Sequence, residues 1–230
     1  MDSNTLLILA FVGGLLRMDR TALVQTMLSR PVLAAPLAGI IIGDIPAGIL
    51  CGVLMEPIWL ARIPVGSRVP PDETIAAITA VAGAKALSSG LPWPGYALVA
   101  VVLALPMGLV GRWLDFRVRK ANDALYFDAV EVVERGGVPR VGRAQFIGAL
   151  RFFLAGAVGT MVGVALITGL GSLIGETLSG RIGETTYQML MAFVTVAGAG
   201  ALLTGIAERE GRVAFAAGIV GNIIFFWVGA

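Results

Sequence analysis

Three carboxylates stand out because of the sequence around them. Asp44 and Glu56 are the only charged residues between Pro31 and Ala61, and Asp72 follows the Pro70-Pro71 pair at the end of a short polar connection. A charge in so apolar a setting costs about 2.5–3.5 kcal/mol on membrane-insertion scales, so such a residue is retained for a partner or a ligand. An ionised carboxylate is a pure acceptor with two oxygens, the group that orients the hydroxyls of a polyol such as a sugar. Glu56 is the strongest candidate, because Pro57 directly after it lacks an N–H and leaves a backbone carbonyl free one turn earlier. The competing reading for Glu56 is a structural ion pair with Arg30 or Arg62. Asp72 also fits a helix N-cap ahead of Glu73, and Asp44, after Gly43, also fits a turn or cap. Gly66 and Ser67, in the connection between Glu56 and Asp72, complete the candidate substrate-binding set. Lys85 reads as a snorkelling side chain or a partner of Glu56 or Asp72, and Asn222 as a hydrogen-bonding group between helices.

The rest of the composition removes whole classes of chemistry. The 230 residues contain no histidine and a single cysteine, Cys51. The commonest general base, the commonest metal ligand and the usual phosphohistidine acceptor are therefore absent, and CxxC-type redox or metal sites are excluded. No nucleophile with an adjacent base can be assembled, so an enzyme is disfavoured, and neither metal nor cofactor is expected. The net charge of +2 comes with no basic, aromatic-interleaved stretch, so nucleic acid is not an expected partner.

The elements that would position these residues are membrane helices. Hydrophobic residues make up 57% of the chain, charged residues 14%, and the mean hydropathy is +0.87. A soluble domain cannot bury that much apolar surface, so the sequence predicts an all-α, polytopic membrane protein, a single integral membrane domain over residues 1–230. No cleaved signal is expected at the N-terminus. Residues 4 to 29 read as a short membrane segment followed by an interfacial or re-entrant piece. The run from Pro31 to Ala61 is interrupted at Gly43-Asp44-Ile45-Pro46, which predicts two shorter helices joined by a polar break. Such broken helices are tolerated at membrane depth where they line a protein-enclosed cavity. Residues 74–88 and 94–111 predict two further segments separated by SSGLPWPG. Residues 112–151 then hold eight basic residues against five acids and predict a cytoplasmic, amphipathic loop whose helix ends at Gly136-Gly137. The last segments are expected over about 152–175, 186–207 and 213–230, with 172–186 outside and Glu208 to Arg212 on the cytoplasmic side. Gly39/Gly43, Gly48/Gly52, Gly159/Gly163 and Gly171/Gly175 have the spacing that permits close helix contact.

The order Arg30-Pro31, Gly39, Gly43-Asp44, Gly48, Gly52, Glu56, Gly66 and Pro71-Asp72 resembles the IIC membrane component of mannose/fructose/sorbose-type phosphotransferase systems. The segment Ala121 to Leu125 and the order of the final hydrophobic stretches add weaker matches. The resemblance implies an elevator-type sugar permease that binds and moves a hexose in the bacterial inner membrane while soluble IIA and IIB components phosphorylate it. It also implies a IID-like membrane partner and an oligomer of IIC/IID pairs. Outside the resemblance, an ion-coupled secondary transporter using Glu56 and Asp44, or a regulatory membrane protein, remains the alternative.

Overall fold

A computed structural model describes residues 1–60, 69–181, 183–206 and 208–228, the last ten of these by their backbone alone. Among them are eight helices and no strand: α1 (Ser3–Thr21), α2 (Pro31–Ile42), α3 (Ile45–Leu60), α4 (Glu73–Leu87), α5 (Gly95–Glu134), α6 (Val141–Leu178), α7 (Glu184–Gly205) and α8 (Arg209–Val228). Three of them, α5, α6 and α7, are long and apolar enough to cross a membrane. The chain is a multi-pass membrane protein.

The expected break at Gly43 is present and has a definite chemistry. Gly43 adopts φ 78°, and its N–H and that of Asp44 return to the carbonyls of Ile40 and Gly39 at 3.3 and 2.8 Å. This left-handed closure satisfies the last carbonyls of α2 and is open to glycine without a Cβ penalty. Asp44 then starts α3, its Oδ1 accepting from the Ala47 N–H at 3.1 Å. The two half-length helices fold back against each other in backbone contact. A Cβ on Gly48 would lie 2.7 Å from the Ala35 carbonyl oxygen, so the hairpin closes only around small residues.

At the centre lies α4, a 15-residue helix buried on nearly all sides. It packs on α5, α6 and α2, and α1 lies along α6. A helix that is apolar all round belongs inside a protein, and α4 is too short to serve as a free-standing span. The glycines of α6 let α4 and α1 approach it, with Gly163 against Thr79 and Gly156 against Arg17.

Two expectations differ from the structure. Residues 4 to 29 do not divide into a short membrane segment and an interfacial piece that begins with the arginines: α1 continues to Thr21, and both Arg17 and Arg20 are buried, because carboxylates at the start of α4 and on α5 neutralise them. Segment 112–151 is also not a loop carrying its own helix. α5 runs unbroken through Pro106 to Glu134, about 60 Å, twice the thickness of a hydrocarbon core, and α6 begins at Val141. The helix does end before Gly136, which has φ 76°.

Candidate functional site

The α2/α3 hairpin has a polar group at each end, and this separates residues that the sequence placed in one set. At the closed end, Asp44 caps α3 and its Oδ2 accepts from the Tyr96 hydroxyl of α5 at 3.2 Å. At the open end, Arg30 donates to Glu56 Oε1 from Nε and Nη2 at 2.8 and 2.5 Å. The second oxygen, Oε2, accepts the backbone N–H of Val32 at 3.1 Å. Arg30 stands at the N-cap of α2 but its side chain makes no capping bond. Glu56 supplies that acceptor from α3, placing a negative charge where the helix dipole favours one. The two side chains remain 15% and 18% exposed.

Next to this pair lies a second, fully enclosed group of charges. Arg17 Nη1 is 2.5 Å from Asp72 Oδ2, and its Nη2 donates to the Gly111 carbonyl at 3.0 Å. Arg20 Nε donates to Glu73 Oε1 at 3.2 Å, its Nη1 lies 3.5 Å from both Asp72 and Asp115, and its Nη2 donates to the Pro71 carbonyl at 3.2 Å. Asp115 also accepts from Arg119 Nε at 2.5 Å. The enclosed members are thus two arginines and three carboxylates, and Arg119, 38% exposed, brings the third positive charge from the edge of the cluster. Asp72 Oδ1 accepts from the N–H groups of Thr74 and Ile75 at 3.0 and 3.1 Å, and the Asp72 N–H donates to the Gly108 carbonyl at 2.8 Å. With no exposed surface and both oxygens engaged, Asp72 holds the start of α4 against α5. Gly111 makes room for it, since a Cβ there would lie 2.3 Å from that of Asp72.

The two groups are tied together by Thr74, whose Oγ1 donates to the carbonyl of Ser29, the residue before Arg30, at 2.9 Å. Trp59, one turn after Glu56, is buried with no partner for its indole N–H among the described residues. Gly66 and Ser67, together with Arg62, lie outside the described residues. Lys85 is exposed at the far end of α4, away from both Glu56 and Asp72. Among the described residues no His/Cys/Asp/Glu group is arranged to hold a metal.

Sequence reading singled out Glu56 and Asp72 as candidates and named Glu73 only as the residue after the Asp72 cap, and it did not bring Arg17, Arg20 or Asp115 to them. The available signal was the spacing of Arg17 and Arg20, three apart at the end of an apolar run, which places both on one helical face. Their partners lie 52 to 98 positions further along the chain, where no local pattern points back to them.

The family model described as "PTS system sorbose-specific IIC component" matches residues 4–225. The mannose-specific EIIC component of Escherichia coli K12 is 27% identical over 146 residues, covering 61% of this chain and 51% of its own length. A putative N-acetylgalactosamine permease IIC component 2 of the same organism is 34% identical over 102 residues, covering 44% of this chain and 69% of its own. The sorbose-specific EIIC component of Klebsiella pneumoniae is 29% identical over 122 residues, covering 52% and 43%. The chain therefore spans about half the length of the mannose-specific relatives it matches. The fold resembles that of the mannose transporter ManYZ, solved by cryo-electron microscopy in complex with microcin E492, with a TM-score of 0.56, 20% identity and coverage of 96% of this chain and 87% of that one. A second solved membrane protein superposes with a TM-score of 0.69 at 19% identity, covering 100% and 97%. With the broken hairpin, its polar open end and a family match running almost from end to end, this chain belongs to the family of sorbose-type phosphotransferase IIC components.

Proposed function

We propose that the chain is the sugar-translocating permease subunit of a phosphoenolpyruvate-dependent phosphotransferase system, binding a hexose of the mannose, fructose or sorbose class. The observation that carries this reading is the family match over residues 4–225. The hairpin geometry supports it, because the Arg30–Glu56 pair offers charged donors and acceptors side by side while still partly open to solvent. Glu56 is the proposed substrate ligand, with Gly66 and Ser67 contributing from the connection that follows α3. Asp72 acts from beneath, as the anchor of that connection, and Asp44 acts from the other end of the hairpin, as the cap that shapes it.

Phosphoryl transfer falls to soluble IIA- and IIB-like partners, in keeping with a chain that has no histidine to phosphorylate. A IID-like membrane subunit, assembly into an oligomer of IIC/IID pairs, an elevator-type movement and residence in a bacterial inner membrane complete the proposal. In this proposal the positive-inside rule assigns residues 112–151 to the cytoplasmic side, and the closed end of the hairpin, beside the opposite end of α5, to the outside. The test is sugar uptake by vesicles that hold this chain with its membrane partner, with and without phosphorylated soluble components. Accumulation of sugar phosphate only when those components are present supports the reading. Uptake that needs an ion gradient and no phosphoryl donor identifies an ion-coupled carrier instead.

A further inference from the structure

A groove of about 440 Å³ runs between the N-terminal end of α5 and one face of α7. Its α7 residues recur at helical spacing from Glu184 to Val196, about 18 Å along the axis, and the other wall is Leu98 of α5 with Pro94, the residue before that helix. The volume lies in the range of small-molecule sites. Its polarity is graded: Glu184, Tyr187 and Gln188 stand at one end, while Leu98, Met191, Ala192 and Val196 form the rest, with Thr195 the single polar side chain there.

Two features of the polar end call for an occupant. Tyr187 is only 5% exposed and its ring fills the space beside Gly95, yet its hydroxyl has no hydrogen-bond partner among the described residues. Burying a hydroxyl without a partner is unfavourable, and a ligand that brings an acceptor to it would remove that cost. Glu184, exposed in the first turn of α7, forms no ion pair with any described residue.

The geometry points to a lipid site. A phospholipid with a primary-ammonium headgroup lies along α7, its ammonium on Glu184, its phosphate or ester oxygens accepting from Tyr187 Oη and the Gln188 amide, and one acyl chain over Leu98, Met191 and Val196. A carboxylate at the headgroup end favours this zwitterion over an anionic lipid, and an N–H-bearing ammonium over a quaternary one, because only the former donates hydrogen bonds. A neutral sugar lacks the apolar tail that the longer part of the groove would accept.

The test is native mass spectrometry and thermal unfolding of the purified full chain, delipidated and then supplied with phosphatidylethanolamine, phosphatidylcholine or phosphatidylglycerol of matched acyl chains. The expected result is selective retention of phosphatidylethanolamine, with a higher unfolding midpoint. Retention should fall at least tenfold in Glu184→Gln and about three- to tenfold in Tyr187→Phe, which removes only an unpartnered hydroxyl and should itself fold like the parent. Equal retention of the three lipids overturns the inference. So does efficient cross-linking of Val196→Cys to another polypeptide, which would put a protein helix on this face. Should Glu184→Gln not fold, the parent's preference between ethanolamine and choline headgroups decides the matter by itself.

Discussion

The Arg30–Glu56 pair and the Arg17/Arg20/Asp72/Glu73/Asp115 cluster use the same chemistry, guanidinium against carboxylate, in different surroundings. The pair keeps 15% and 18% of its side chains in contact with solvent, whereas Arg17 and Asp72 keep none. In the cluster every carboxylate meets an arginine, and backbone groups take up much of the remaining hydrogen-bonding capacity. Removing any one member strands a charge where water cannot reach it. The pair can exchange a partner for a ligand at modest cost, because solvent screens what is left. Nearness to water, more than residue type, separates a charge that holds the fold from one that is free to bind.

The sharpest way to break this contrast is to delete a member of the enclosed cluster. Arg17→Ala removes the nearer of the two arginines that neutralise Asp72, leaving only the 3.5 Å contact to Arg20, and should destabilise the protein by about 3–5 kcal/mol, seen as a large fall in folded yield and unfolding midpoint in detergent. A near-parental midpoint would mean that the cluster is not the anchor inferred here. Gly111→Ala tests the same anchor sterically. Its Cβ would press on Asp72, so a loss of about 1–3 kcal/mol is expected in the same assay, and a neutral result would show that α4 and α5 part without penalty.

On the other side of the comparison, Glu56→Gln should leave folding and assembly near normal while weakening sugar binding about ten- to a hundredfold. That is the loss of charge-assisted acceptance, worth about 1.5–3 kcal/mol per bond, read by titration of purified protein with mannose or sorbose. Unchanged affinity would reduce Glu56 to a cap for α2, and loss of assembly would move it into the same class as Asp72. The smallest effect belongs to the ion pair between Arg135 and Glu131 on the exposed arm of α5, where both side chains are more than half exposed. Glu131→Ala should change the unfolding free energy by less than about 1 kcal/mol, and a larger effect would show that the arm is covered in the assembled protein.

Much of the architecture was legible along the chain because its signals are local. The Gly43 break, the capping role of Asp72 and the stop before Gly136 each depend on a few adjacent residues whose backbone preferences or missing groups act within one turn. The length of α5 was not legible, since residues 95–111 and 112–134 differ in composition but nothing between them breaks a helix. The burial of Arg17 and Arg20 was not legible for a related reason. Two arginines after an apolar run ordinarily mark the end of a membrane segment, and only the carboxylates of α4 and α5 make their burial possible.

By itself, the sequence determined that this is an all-helical membrane protein, where its helices break, and which few carboxylates stand in apolar surroundings. Those properties follow from hydrophobic content and from the short reach of backbone chemistry. Only the tertiary structure decided that Glu56 pairs with Arg30 and caps α2, that Asp72 is enclosed by two arginines of α1, and that Asp44 lies at the opposite end of the hairpin from Glu56. A buried charge is settled by whichever opposite charge the fold carries to it, and those partners come from helices far apart in the sequence.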